Sequence, residues 1–325
     1  MKNQLLACFS GLLCLCFFVL PVQAQISGAL SGGGGSNLVT EPRYPEPGEE
    51  VRIELSDYSL NTTGATFTWY VNGVEQIAAK NERKIMVKAG ELGSKLTVQV
   101  VTRLPGGATL EAKTIIAPVR VDLLIAADTL TPSFYPGRAL PSSGSSIQVT
   151  AIPFTGNSTT PENYSYTWRV GGEVISGSSR FGKNSVTFTS GFERNVTVSV
   201  DVIDQNGYTI TSESILVPIS DPELYFYEVN PLEGLRQQAL GKNYIFVGDE
   251  MRVRAEPYFV SRTLMSQNPF LEWKLNGKTI TNQSSDQQEI VLRKTGSRGS
   301  FELEFHVRNL AQLLQGVKDS VTISF

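Results

Sequence analysis

The sequence predicts an all-β protein: three tandem antiparallel β-sandwiches behind an exported leader. Three observations predict it. The only tryptophans, Trp69, Trp168 and Trp273, stand 99 and 105 residues apart. Each lies in a short alternating segment that closes on glycine: TFTWYVNG from Thr66, SYTWRVGG from Ser165 and FLEWKLNG from Phe270. Two further alternating segments flank each one at nearly fixed distances. A period near 100 residues is too long for a solenoid and suits one small domain per repeat.

The chain begins MKNQLLACFSGLLCLCFFVLPVQA. Lys2 is the only charge, an apolar run extends from Leu5 to Leu20, and Val22-Gln23-Ala24 fits a small-residue cleavage site. Residues 1–24 therefore read as a secretory signal peptide, and the apolar run is short for a membrane span of about 20 residues. A lipobox-like Leu5-Leu6-Ala7-Cys8 lies too early to act as one. Cys8, Cys14 and Cys16 all fall in this leader, so the exported chain carries no cysteine and must hold together by core packing alone. Residues 25–37 contain Ser31-Gly32-Gly33-Gly34-Gly35-Ser36, a flexible Gly-rich linker. No Lys-Ser/Thr follows it, so a phosphate-cradling loop is excluded.

Beyond the linker the repeats keep one order. A glycine turn leads into the first strand: Gly48 then Val51, Ile53 and Leu55; Gly144 then Ile147, Val149 and Ala151; Gly248 then Met251, Val253 and Ala255. The Trp strand follows, with Phe67, Trp69 and Val71 on one face, then Tyr166, Trp168 and Val170, then Leu271, Trp273 and Leu275. About 30 residues after each Trp comes another alternating strand: Leu96, Val98 and Val100; Val196, Val198 and Val200; Phe301, Leu303 and Phe305. One apolar and one polar face per strand is the pattern of two sheets packed face to face. Asn72-Gly73, Gly171-Gly172 and Asn276-Gly277 supply the positive φ of tight hairpins. The expected boundaries are 38–118, 119–218 and 219–325, with Pro118, Pro218 and Pro222 at the junctions. The three tryptophans are expected to be core markers, one per sandwich.

The aromatic-x-Trp-x-x-Asn/Gly-Gly pattern after a Gly-x-x-aliphatic strand resembles bacterial secreted Ig-like and PKD-like β-sandwich repeat proteins. The resemblance covers nearly all the chain after the linker. It departs from antibody-type domains, which bridge their sheets with cysteines where this chain has Leu55 and Val98. It departs from PKD domains too, because Trp69 is followed by Tyr70-Val71-Asn72-Gly73 rather than an Asp-rich loop. The resemblance implies three tandem Ig-like domains with roles in adhesion, display or spacing at a cell surface, and it supplies no catalytic residue.

Composition and motifs point the same way. With 28 Lys+Arg against 31 Asp+Glu, and near balance within each repeat, no nucleic-acid partner is expected. The only histidine, His306, lies between core-facing Phe305 and Val307, with no second His or exported Cys to complete a metal site or triad. Asp204 with Asn206 offers too few carboxylates for calcium and reads as a hairpin turn. No cofactor is expected, and the chain is read as non-enzymatic. The functional expectation is a secreted or cell-surface interaction and spacer protein with protein partners, for which an envelope-associated assembly is one setting. Extracellular carbohydrate binding through Tyr58, Tyr70 or Tyr164 is the alternative, and a secreted hydrolase is the third reading.

Two segments fit the repeat poorly. Tyr225–Gly241 reads YFYEVNPLEGLRQQALG, with a shorter relative at Thr131–Ser143, and Arg308–Val317 reads RNLAQLLQGV. Their leucines lack a strand phase. Leu232, Leu235, Leu310, Leu313 and Leu314 are the candidate partner-binding residues, although packing as a local lid on their own sandwich is the favoured role.

Overall fold

A computed structural model describes residues 37–56, 62–156, 160–267, 269–281, 284–296, 298–308 and 316–325. The predicted signal peptide and almost all of the linker lie outside these residues, as do Tyr58, Leu310, Leu313 and Leu314. The described residues belong to one compact unit and fold as three antiparallel β-sandwiches.

The first sandwich contains β1 (Asn37–Glu41), β2 (Glu50–Ser56), β3 (Thr66–Val71), β4 (Val74–Glu75), β5 (Lys84–Lys88), β6 (Leu96–Arg103) and β7 (Thr109–Ile116). Its sheets have orders β1-β2-β5 and β4-β3-β6-β7. The second repeats the plan with β8 (Arg120–Ala127), β9 (Ser146–Phe154), β10 (Ser165–Val170), β11 (Glu173–Val174), β12 (Ser185–Thr189), β13 (Asn195–Ile203) and β14 (Thr209–Pro218). Its orders are β12-β9-β8 and β11-β10-β13-β14. These are the crossed-over strand orders of Ig-like domains.

The third sandwich elaborates the plan. It contains β15 (Glu223–Asn230), β16 (Gly234–Ala239), β17 (Asn243–Ile245), β18 (Glu250–Tyr258), the short α1 (Arg262–Ser266), β19 (Phe270–Leu275), β20 (Lys278–Ile280), β21 (Glu289–Arg293), β22 (Ser300–Arg308) and β23 (Gly316–Ser324). The sheets run β16-β15-β18-β21 and β17-β23-β22-β19-β20. Strand β17 pairs in parallel with β23, Tyr244 opposite Ile323. Residues 225–241 are thus a long β-hairpin rather than an irregular insertion. Their leucines lack a period because the register slips: Tyr227 faces Ala239 while Val229 faces Leu235, leaving two extra residues on β16.

Each Trp lies at the same place. Trp69, Trp168 and Trp273 are buried, and each pairs across the sheet with a buried residue: Val100, Val200 and Phe305. Each indole Nε1 donates to a backbone carbonyl on the way to the opposite sheet, at Glu82 (2.7 Å), Lys183 (2.9 Å) and Gln287 (2.9 Å). An indole buried without such an acceptor would carry a desolvation cost. The hairpin after each Trp strand has left-handed residues at both central positions, Asn72 and Gly73, Gly171 and Gly172, Asn276 and Gly277. The asparagine side chains also accept from the neighbouring strand: Thr97 N to Asn72 and Glu302 N to Asn276, both at 2.9 Å.

The two joints differ. Between sandwiches one and two, the backbone at Leu92-Gly93 meets the backbone at Thr155-Gly156. A Cβ on Gly93 would stand 2.4 Å from the Thr155 carbonyl oxygen, and one on Gly156 would stand 2.4 Å from that of Leu92. Both glycines are left-handed, with φ of 78° and 87°. The buried cores of these two sandwiches share no cluster among the described residues. Sandwiches two and three are joined by backbone hydrogen bonds and a mixed aromatic cluster, described next.

Candidate interaction sites at the hairpin tip and the seam

The seam between sandwiches two and three is built from residues that no alternating pattern marks. The segment after β8 runs alongside the end of β18. Phe259 N donates to Leu130 O at 2.7 Å, Leu130 N to Val260 O at 2.8 Å, and Ser220 N to Pro141 O at 2.8 Å. Arg262 pairs with Asp128 at 3.3 Å. Phe134 and Tyr135 of the second sandwich reach onto Tyr227, Tyr258 and Phe259 of the third. The rings meet edge to face: Phe134 with Tyr227 at 5.3 Å, Tyr135 with Tyr258 at 5.4 Å and Tyr135 with Phe259 at 5.9 Å. Such pairs contribute about 0.5–1.5 kcal/mol each beyond their area burial. The hydroxyls of Tyr227 and Tyr258 share a 2.7 Å hydrogen bond inside this cluster. Burial pushes the Tyr258 phenol well above its usual range, and the bond to Tyr227 pushes in the same direction.

Phe259 has a φ of 58°, a left-handed conformation that costs a bulky residue about 1–2 kcal/mol. The seam holds it there through its bond to Leu130 and its contact with Tyr135. The Thr131–Ser143 segment is therefore an inter-sandwich brace, where the sequence shows only a short relative of the third repeat's insertion. Aromatics in a loop carry no period that would reveal their partner.

The hairpin of β15 and β16 ends in the turn Asn230-Pro231-Leu232-Glu233-Gly234. Asn230 Oδ1 accepts from the backbone N–H groups of Leu232 at 2.8 Å and Glu233 at 3.1 Å, an Asx turn that fixes the tip. Gly234 closes it at φ 77°. Behind the tip, Arg236 pairs with Glu228 at 2.9 Å and Glu233 at 3.7 Å, and Tyr244 Oη donates to Glu228 at 3.0 Å. Leu232 is 96% exposed on this braced turn. Leu235 is half-buried and packs on the aromatic cluster of the seam. The other candidate leucines, Leu310, Leu313 and Leu314, lie outside the described residues.

The remaining sequence candidates have local roles. Tyr164 is half-buried and packs against the second core, and Tyr70 is half-buried within β3, so neither offers a fully exposed stacking face. His306 lies half-buried on the outer face of β22, opposite Lys318. Its pKa is lowered, first by desolvation and then by Arg308, Lys274 and Lys318, with Glu272 opposing. Asp204 accepts from the N–H groups of Asn206 and Tyr208, both at 2.9 Å, and builds its hairpin turn. One carboxylate cluster, Glu256, Asp286 and Glu289, converges on the Arg254 guanidinium, an ion network on the sheet surface. Among the described residues, no group of three His, Cys, Asp or Glu could hold a metal ion, and no helix is long and apolar enough to cross a membrane.

No protein-family model matches the chain, and no curated protein matches it. Solved structures that align with it are multidomain β proteins. They include three N-terminal domains of the Highly Immunogenic Outer Capsid protein of bacteriophage RB49, at 13% identity over 89% of this chain and 98% of that one, with a TM-score of 0.25. The central fibronectin-III array of RIM-binding protein aligns at 14% identity over 89% and 97%, with a TM-score of 0.31. The glucan-utilization protein SGBP-B of Bacteroides ovatus, solved with a mixed-linkage heptasaccharide, aligns at 11% identity over 90% and 71%, with a TM-score of 0.21. The fold assignment rests on the strand orders and cores above rather than on these likenesses.

Proposed function

We propose that the chain is an exported, non-catalytic interaction and spacer protein. In this reading residues 1–24 direct export, residues 25–37 link the leader to the first sandwich, and the sandwiches at 38–118, 119–218 and 219–325 carry a protein-binding surface at a cell surface or envelope. The observation that carries the reading is the hairpin tip: one leucine held almost wholly in solvent by a turn with its own hydrogen bonds and ion pairs. A scattered exposed leucine needs no explanation. A pre-ordered one offers an apolar anchor with little ordering entropy left to lose on binding. Leu232 is the anchor and Leu235 part of its support.

The test is site-specific photo-crosslinking in the native cell envelope. A crosslinking residue at Leu232 should give one discrete protein adduct that the same residue at exposed Val74 of β4 does not give. Leu232→Ser should abolish the adduct formed from a crosslinker at neighbouring Glu233, with the melting temperature unchanged. Equal, diffuse labelling from Leu232 and Val74 would sink the proposal.

A further inference from the structure

We propose that the seam between sandwiches two and three contains a binding site for a single sugar residue. Next to the aromatic brace lies a cleft of about 300 Å³, at the lower end of the ~300–1,000 Å³ range of small-molecule sites and at an inter-domain position where such sites concentrate. Its walls come from both sandwiches. Ser142 and Ser143 belong to the brace, Asp221 to the connection, Ser261 and Leu264 to the segment after β18, and Lys318 to β23.

The chemistry of this lining is unusual for an internal crevice. Ser142 is fully buried, and its hydroxyl has no hydrogen-bond partner. An unpaired buried hydroxyl costs about 1–3 kcal/mol and calls for an explanation. Ser143 and Ser261 add two further hydroxyls to the lining. Asp221 and Lys318 are exposed at the cleft and form no ion pair with each other or with any described residue. Two hydroxyls, one carboxylate and one ammonium thus border the cleft, with the unpaired Ser142 hydroxyl and the Leu264 side chain buried just behind them.

One acid and one base leave the lining without net charge, which disfavours a simple anion or cation. The density of donors and acceptors suits a neutral ligand rich in hydroxyls. Leu264 offers an apolar wall for the C–H face of a pyranose ring, with the polar groups left for its rim. The volume admits one ring rather than a chain. Such a ligand would touch both sandwiches and fasten the seam from outside the aromatic cluster. The site is separate from Leu232 and does not depend on the role given to the hairpin tip.

The purified protein would be titrated with glucose, galactose, mannose and N-acetylglucosamine, followed by saturation-transfer NMR and backbone amide shifts. At least one sugar should bind saturably and move the amides of Ser142, Ser261 and Lys318. Asp221→Asn, at an exposed side chain that leaves folding intact, should weaken binding about tenfold or more, and Ser261→Leu should fill the cleft and abolish it. Three outcomes would overturn the site: no sugar saturating at tens of millimolar; shifts that survive both substitutions; or saturation by free glycine or leucine but by no sugar, which would make the ligand a zwitterion held between Asp221 and Lys318.

Discussion

The two joints of this chain solve one problem in opposite ways. Between sandwiches one and two, backbone meets backbone: Gly93 and Gly156 approach so closely that neither tolerates a side chain. Between sandwiches two and three, backbone hydrogen bonds, an Arg262–Asp128 ion pair and five aromatic rings act together. Buried apolar area stabilises in proportion to its extent. The second joint should therefore couple its sandwiches energetically, while the first should leave them nearly independent. The sequence suggests three equivalent beads; the structure instead gives them two unlike joints.

The largest effect that would sharpen this contrast comes from removing a core tryptophan. Replacing a buried Trp by Ala costs about 3–5 kcal/mol, enough to unfold a small sandwich. Trp69→Ala should abolish the first sandwich's calorimetric transition and leave the others within a degree or two. Trp273→Ala should unfold the third sandwich and also lower the transition of the second, because Phe134 and Tyr135 lose the surface they cover. Hydrogen exchange at Val149 and Val200 would report the second sandwich directly. Equal independence in the two variants would show that the seam contributes little coupling.

The strand plan was legible in the sequence, and the braced joint was not. Period-two alternation survives wherever one sheet face meets a core, so Val51-Ile53-Leu55 and its counterparts declare themselves without tertiary knowledge. The glycine turns did the same, because Asn72-Gly73 and Asn276-Gly277 have few other uses after an alternating strand. The carbonyls of Glu82, Lys183 and Gln287 that receive the indoles could not be read, since a backbone acceptor leaves no side-chain signature. Phe134, Tyr135 and Phe259 were hidden for a related reason: they pack through loop conformations, one of them left-handed, that follow no period. The register slip in the β15–β16 hairpin hid that element in the same way, leaving Leu232 visible as an oddity but not as a braced tip.

The first joint can be broken more gently. Gly156→Ala places a methyl group against the Leu92 carbonyl and forces a left-handed alanine, a strain of about 1–2 kcal/mol. The joint can escape that strain by opening, because the two cores share no cluster across it among the described residues. Donor and acceptor dyes on exposed Val74 and Val174 should therefore move in energy transfer, while each sandwich keeps its melting temperature. A fall in the first or second melting transition, without a change in transfer, would mean the glycine contact belongs to a packed interface after all.

The smallest effect separates the joints by charge. Glu213 points from edge strand β14 toward its core, opposite buried Val200. At the same register in the third sandwich, Asp319 lies opposite Phe305 and receives Lys242 Nζ at 2.6 Å. Glu213 has no such cation among the described residues. Its pKa is raised, first by desolvation and then by Glu46 of the first sandwich, with the Ser214 backbone N–H pulling the other way. A carboxyl raised on folding favours the protonated form, so its contribution is fully present below the unfolded carboxylate range and is lost as pH rises through the folded value. At neutral pH the ionised group therefore opposes both its own burial and the approach of Glu46, whereas the seam has the attractive Arg262–Asp128 pair. Glu213→Gln should raise the second sandwich's melting temperature at pH 7 and close the distance between sandwiches one and two. Both gains should shrink as pH falls through the carboxylate range, where the native side chain becomes neutral. A gain that persists unchanged at acid pH would assign it to packing rather than to charge, and no gain at pH 7 would remove like-charge repulsion from the account of the looser joint.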